Sequence, residues 1–319
     1  MKVLVTGATG YLGTHLIRHL TGAGYDAVGL VRTSSDAKEL VEIGAETVTG
    51  DVTCVESMEQ ASRDVDVIVH AAADTSGTVS GGKSVTINGT LNVAQLCTRR
   101  PKLRLVYISS CSVYGISDLA AGDVIDEESA LEKRPELRGA YSHAKHSAEV
   151  LLRRELAGSE KRVVVLRPGI IFGRAAKVFS PSLGFRVGAR LFLIIGPGST
   201  ELPLVHVDDV ADAATRLIAA PQVSGVFNVV DPQRITKRMF MDRIIRPAHP
   251  SAIVVYVPII VIMVAAFICE TLFPLLGRTP PLTRYRLLAS QLPVHISGKK
   301  LRAALGWTPL PFFTNQSRK

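Results

Sequence analysis

Tyr141 and Lys145 stand four residues apart in Tyr141-Ser142-His143-Ala144-Lys145, at the start of a long helical pattern. Positions i and i+4 share one helix face, so the phenol and the ammonium point the same way. A free phenol titrates near pH 10 and is a poor proton carrier at neutrality. A neighbouring ammonium favours the phenolate and draws that value down, which makes the pair an acid–base device for an alcohol or carbonyl oxygen. That oxygen also needs a hydrogen-bonding partner. The apolar run Leu103–Ser109 leads into Ser110-Cys111-Ser112-Val113-Tyr114-Gly115. A hydroxyl at the carboxyl end of a strand faces the cleft where such chemistry takes place. Ser110 is the first choice, Ser112 the second and Ser109 the third. His143 and His146 fall on other faces of the helix and read as bystanders. His70, inside a continuous apolar strand, reads as structural.

A second signal lies at the N-terminus. Gly7-Ala8-Thr9-Gly10-Tyr11-Leu12-Gly13 follows a short β run and opens a helix. Glycines three apart let the backbone turn tightly and approach a pyrophosphate, while the helix start offers free N–H groups and a positive dipole end. Gly7, Thr9, Gly10, Tyr11, Leu12 and Gly13 are therefore candidate contacts of a dinucleotide. An NAD-preferring site holds the ribose hydroxyls with an acidic residue after the second strand. Here that strand ends at Val31-Arg32, and Arg32 suits a 2′-phosphate, which favours NADP over NAD. The loop Thr33–Asp36 bears on the same choice. Asp51 and Val52 close the third strand, where a carboxylate can meet the adenine amino group. The small side chains of Ala71, Ala72 and Ala73 close the fourth and leave room for the cofactor. A nicotinamide cation would add to the pull on the Tyr141 phenol, and Lys145 can also hold the nicotinamide ribose.

These groups need a scaffold, and the hydrophobic pattern supplies one. Strand signals at Lys2–Thr6, Ala27–Val31, Thr47–Thr49, Val65–His70, Leu103–Ser109 and Arg162–Leu166 alternate with helical patterns such as Tyr11–Thr21, Gly89–Arg99 and Tyr141–Leu156. Short apolar strands separated by helices predict an α/β chain with a Rossmann-type, doubly wound parallel sheet buried on both faces. Residues 1–173 are the dinucleotide-binding domain in this reading. Residues 174–319 are a mixed segment in which 204–230 returns to the sheet and the rest forms a smaller, mostly helical substrate lobe. The length of 319 residues, with 47% hydrophobic and 20% charged, accommodates both. The net charge is +9, but the basic residues are scattered in small clusters, so no nucleic-acid partner is expected. Cys54, Cys97, Cys111 and Cys269 lack a metal-like spacing. No metal is expected, and the thiols fit a reduced, cytoplasmic protein. The start of the chain lacks the apolar run of a signal peptide.

Ala252–Cys269 is eighteen residues without a charge and accounts for the positive mean hydropathy of +0.24. It just reaches the length at which a membrane span becomes a candidate, with Pro258 placed to kink it and Arg243 and Arg246 upstream. An apolar helix is expected over 252–276. It is a buried or pocket-lining helix, a helix lying on a membrane as a peripheral contact, or a true span. The first two favour a small apolar substrate, since a nucleotide-sugar site needs arginines and polar groups for a diphosphate.

Taken together the motifs resemble the extended short-chain dehydrogenase/reductases, the superfamily of nucleotide-sugar epimerases, dehydratases and 3β-hydroxysteroid dehydrogenases. Gly7–Gly13 is similar to G-x-x-G-x-x-G, Ser109–Gly115 to S-S-x-x-V-Y-G, and Tyr141 with Lys145 to Y-x-x-x-K. That resemblance places the catalytic hydroxyl on Ser110. Leu166–Gly173 resembles the R-P-x-x-x-x-G segment whose backbone meets the nicotinamide amide, which brings in Pro168, Ile170 and Ile171. Val205–Ala211 resembles H-V-D-D-V-A, and Gly225–Val230 and Lys299–Pro309 resemble the late strand and closing element. One departure stands out: Thr86 in Thr86-Ile87-Asn88-Gly89-Thr90 replaces an asparagine that buttresses the active-site helix in the family, with Asn88 two residues away. Glu270–Leu282 resembles bacterial 3β-hydroxysteroid dehydrogenase-like and long-chain β-keto acid reductases. The resemblance implies an NAD(P)-dependent oxidoreductase that interconverts a secondary alcohol and a ketone on a steroid- or lipid-like molecule. It also implies a homodimer built on Gly89–Arg99 and Tyr141–Leu156. A nucleotide-sugar epimerase or dehydratase is the alternative. A non-catalytic cofactor sensor is opposed by the intact Ser–Tyr–Lys set.

Overall fold

The computed structural model describes residues 1–33, 37–74, 85–174 and 182–309. The chain opens with β1 (Lys2–Thr6), α1 (Tyr11–Gly22), β2 (Asp26–Val31), α2 (Lys38–Glu42), β3 (Glu46–Thr49) and α3 (Val55–Ala61). Next come β4 (Val67–His70), α4 (Val85–Arg99), β5 (Arg104–Ile108), α5 (Ala140–Glu155), β6 (Val163–Pro168) and β7 (Ile170–Phe172). They are followed by β8 (Gly184–Val187), β9 (Leu191–Ile195), β10 (Leu204–His206), α6 (Val207–Ala219) and β11 (Gly225–Val229). The last elements used below are β12 (Ile253–Val257), α7 (Ile259–Leu275), α8 (Arg284–Gln291) and α9 (Lys299–Leu305).

Seven strands form one parallel sheet in the order β11-β6-β5-β4-β1-β2-β3. The strands carry continuous apolar runs because helices cover both faces. Val3, Val5, Val69 and Val106 pack with Leu16, Ile17 and Leu20 of α1 and Val210 and Leu217 of α6. Leu4, Ile68, Leu105 and Tyr107 turn the other way, against Val93 and Leu96 of α4 and Ala148 and Leu152 of α5. A one-residue slip would exchange the two cores, so register is strongly set. Strand order reverses between β1 and β4, and a ligand of such a sheet lies outside the carboxyl ends at that point.

The smaller lobe adds a three-stranded sheet to its helices. β9 pairs in parallel with β12 and antiparallel with β8, over a core that includes Phe172, Phe192, Ile194 and Phe240. The expected single helix over 252–276 is corrected here: 253–257 is a strand, and the helix runs from Ile259 to Leu275. Ile-Val-Val-Tyr-Val is β-branched and aromatic and suits a pleated edge. Pro258, which has no N–H to give, separates strand from helix instead of kinking one. Of the returning segment, β11 joins the large sheet, whereas β10 pairs with β7 outside it. Among the described residues no helix is long and apolar enough to cross a membrane.

Candidate active site

At the end of β1 the backbone turns through Gly7 at φ +70°, and Gly10 N–H donates to Gly7 O at 3.0 Å. A side chain at Gly7 would stand 2.8 Å from Ala72 N, and one at Gly13 would collide with the Gly7 carbonyl. The turn therefore closes only with glycine at both places. Thr9 and Gly10 lie at the surface. α1 starts at Gly10 with no side-chain cap, which leaves its positive end to an anion.

Tyr141 sits in the first turn of α5, after Gly139. Its phenol lies within reach of Ser110, whose Oγ accepts the Ser112 N–H at 3.1 Å. One turn on, Lys145 is buried and its Nζ donates to Ile108 O at 2.6 Å, 5.3 Å from the Tyr107 ring. The end of β5 thus holds both members of the pair. Burial lowers the Lys145 ammonium to about 8, against the pull of Glu149. Burial raises the Tyr141 phenol above its ordinary value, with the Ser110 hydrogen bond acting in the opposite direction. The expected downward shift is thus not found: burial prevails at Tyr141, and the Lys145 ammonium is itself desolvated and turned to a carbonyl.

Comparison with known proteins decides the family. The model of the NAD dependent epimerase/dehydratase family matches residues 3–230. The chain belongs to that family. It is 28% identical over 314 residues to a 4-hydroxy-2-methyl-3-oxo-4-farnesyl-3,4-dihydroquinoline-1-oxide ketoreductase of Stigmatella aurantiaca, covering 96% of this chain and 92% of the relative. It is 28% identical over 327 residues to a 2-alkyl-3-oxoalkanoate reductase of Stenotrophomonas maltophilia, covering 97% and 95%. A dTDP-glucose 4,6-dehydratase of Streptomyces venezuelae, solved with NAD and TYD bound, superposes with a TM-score of 0.73 at 20% identity over 100% of this chain and 95% of that one, a likeness of fold.

In an epimerase/dehydratase family protein the glycine turn holds a nicotinamide dinucleotide, and the residues here fit one. The uncapped start of α1 and the side-chain-free turn leave backbone N–H groups and space that suit a pyrophosphate. Leu12 packs on the core. Tyr11 has its buried hydroxyl against Gly173, with no hydrogen-bond partner among the described residues. Ala71 N–H and Ala72 N–H donate to Thr6 at 3.2 and 3.3 Å, so Ala71, Ala72 and Ala73 continue flush with the sheet edge. Arg32 is exposed and close enough to Asp51 to add to the lowering of its carboxyl, which the Thr53 N–H and hydroxyl chiefly cause. Residues 34–36 of the neighbouring loop lie outside the described residues. Val52 fills the space over Gly89, and its carbonyl accepts from Asn92 at 3.0 Å.

Pro168, Ile170 and Ile171 stand at the end of β6 and in β7, but Ile170 N–H is spent on Pro203 O at 2.6 Å and β7 is laddered to β10. That N–H is not open to a nicotinamide amide. Thr86 accepts the Asp74 N–H at 2.9 Å, so its hydroxyl fixes the residue after Ala73. His70 is fully buried, with its ring nitrogens on Thr6 at 2.7 Å and Thr90 at 3.1 Å.

The bracing of α5 centres on Glu149, to which the sequence assigns no role. Glu149, eight residues beyond Tyr141 on the same face, accepts from Ser109 Oγ at 2.6 Å, Arg167 Nε at 3.2 Å and Arg153 Nη2 at 2.8 Å. A second bond from Arg167 Nη2 closes a bidentate pair. A Tyr-x-x-x-Lys-x-x-x-Glu stripe was the available signal. On the other side of the cleft Asp208 joins α6 to α1 through His15 Nδ1 at 2.6 Å and His19 Nε2 at 3.4 Å. These hydrogen bonds hold its carboxyl well below the usual range.

Proposed function

We propose that this protein interconverts a secondary alcohol and a ketone on an apolar, steroid- or lipid-like molecule with a nicotinamide dinucleotide. The observation that carries the reading is the placing of the Tyr141 phenol against Ser110 and beside a buried Lys145, whose ammonium donates to Ile108 O at the carboxyl edge of the sheet. Ser110 and Tyr141 hold the substrate oxygen, and Tyr141 gives it a proton in reduction and takes one in oxidation. Lys145 favours the phenolate and holds the cofactor ribose. The dinucleotide, when bound, supplies or accepts the hydride. Gly7, Thr9, Gly10, Tyr11, Leu12 and Gly13 hold the pyrophosphate. Asp51, Val52 and Ala71–Ala73 flank the adenosine half, and Pro168, Ile170 and Ile171 flank the nicotinamide.

Arg32, exposed after β2, favours NADP. The two bacterial relatives named as reductases of oxo compounds support the ketone chemistry. The nucleotide-sugar alternative has the fold likeness in its favour, but the interior of the lobe is apolar, with Leu183, Phe185, Ile194 and Ile195 in its cores. Residues 1–173 with β11 serve the cofactor and the lobe serves the substrate. A homodimer through α4 and α5, a cytoplasmic location and peripheral membrane contact through 252–276 complete the reading.

Tyr141→Phe tests it. Turnover of a 3-oxo lipid should fall about 10²–10⁴-fold while NADPH still raises the melting temperature. A variant that keeps most of its rate would refute the assignment.

A further inference from the structure

The apolar helix α7 presents a face that its own protein leaves uncovered. It buries Ile262 and Ala266, whereas Ile260, Val264, Phe267, Ile268, Leu272 and Leu275 are each between 49% and 79% exposed. At 3.6 residues per turn these six fall within an arc of about 140° on the side away from Ile262 and Ala266. An apolar surface of this kind marks a contact with a partner or a lipid phase. Seventeen residues span about 25 Å, short of a hydrocarbon core of about 30 Å, so the helix fits along a bilayer and not through it.

The surrounding charge selects the occupant. Residues 238–286 carry six arginines against Asp242 and Glu270, and Arg238, Arg243, Arg246, Arg278 and Arg284 are exposed. Both acids are already engaged, Asp242 with Arg246 at 3.0 Å and Glu270 with Arg284 at 2.6 Å. A second copy of this face would bring arginine against arginine, whereas an anionic lipid surface complements it.

The helix is also wired to the active site. Glu270 of α7 accepts the Arg284 N–H at 2.7 Å and Arg284 Nε at 2.6 Å, and Arg284 lies over the Phe267 ring. One residue on, Tyr285 donates to the buried Glu132 at 2.7 Å, and Glu132 accepts from Arg138 at 3.1 Å. Arg286 lies flat against Gly139, whose φ of +90° starts the catalytic helix two residues before Tyr141.

From these observations, and resting on the alcohol–ketone and peripheral-contact readings above, we infer that α7 lies in the plane of an anionic bilayer. With α8 tying it to the start of α5, an apolar substrate passes from lipid into the cleft without crossing water.

The test uses the full chain with phosphatidylcholine vesicles, with and without phosphatidylglycerol, and Val264→Asp/Leu272→Asp. Cofactor-induced thermal shift confirms that the variant is folded. The expected result is sedimentation with the anionic vesicles, weakened about tenfold by omitting phosphatidylglycerol, by high salt or by the variant. Turnover of a vesicle-borne long-chain ketone by the variant should drop about tenfold, with a short soluble ketone unaffected. Failure to bind any vesicle overturns the contact itself. Equal binding to neutral vesicles, equal binding by the variant, or equal loss with both ketones overturns the inference alone. A lipid-free dimer that the variant converts to monomer assigns the face to a second copy and overturns it too. Vesicle binding without turnover of either ketone overturns the enzymatic reading and, with it, the substrate route.

Discussion

Replacing Glu149 by leucine removes the carboxylate that clamps α5 to β6. Glu149 and Arg167 are 0% and 1% exposed, so water screens neither. Breaking a buried pair by deleting one partner costs about 3–5 kcal/mol, because the remaining charge stays buried without compensation. Arg167 Nη1 already has no hydrogen-bond partner among the described residues, which leaves little to absorb the loss. Arg153, 46% exposed, turns to solvent and adds little. Against a total stability of about 5–15 kcal/mol the single change is severe. Urea unfolding followed by circular dichroism should show it for Glu149→Leu and similarly for Arg167→Met. The double variant should recover most of the loss, since two apolar side chains replace a charge pair. Burial alone would raise the Glu149 carboxyl, but the Arg167 hydrogen bonds and charge prevail and hold it below its ordinary value. Its contribution is therefore present above the unfolded carboxyl's range and lost as pH falls below it. A Glu149→Leu cost under about 1 kcal/mol, or an additive double variant, would refute this account.

Gly13→Ala drives a Cβ into the Gly7 carbonyl, so the thermal shift produced by NADPH should vanish; a retained shift would show that the turn relaxes. Burial, with the Lys145 charge, depresses His70 to about 3. The folded state resists its protonation, so stability is full above the unfolded histidine value near 6.5 and falls by about 1.4 kcal/mol per pH unit toward pH 3. His70→Asn should flatten that slope in urea melts taken across the range, and an unchanged slope would exclude His70 as its source. Ser110→Ala should lower kcat about 10²–10³-fold with little effect on stability. Ser109→Ala should do the reverse, losing about 1.5–3 kcal/mol of stability with the hydrogen bond to a charged acceptor. Matched kinetics and melts of the two variants would expose any exchange of roles.

The sheet was legible because its strands are unbroken apolar runs. β1 agrees residue for residue with the sequence reading, and β2 and β3 each begin one residue earlier. The pairing of Tyr141 with Lys145 was legible because helix periodicity alone puts them on one face. The run 252–257 was not, since a stretch apolar at every position carries no period and Pro258 ends a strand as readily as it bends a helix. Glu149 was hidden for another reason: Arg167 lies on the next strand, and only the packing of α5 on the sheet brings the two together. The direction of the Tyr141 shift was also beyond reach, because it depends on how deeply the phenol is buried and not on which residue sits four positions away.

The serines at the end of β5 connect these points. Ser110 is extended, at φ −161° and ψ 147°, and neighbouring side chains of an extended backbone leave on opposite sides. Ser109 turns beneath to Glu149, while Ser110 turns to Tyr141. Ser112 donates its N–H to Ser110 Oγ, and its own buried hydroxyl has no partner among the described residues. One strand end therefore supplies the anchor of α5 on one side and the neighbour of the Tyr141 phenol on the other. Composition marks all three serines as candidates; the phase of the pleat assigns them. That phase is fixed upstream by Leu105, Val106 and Tyr107, whose alternation between the two cores cannot slip without burying Ser110 and freeing Ser109.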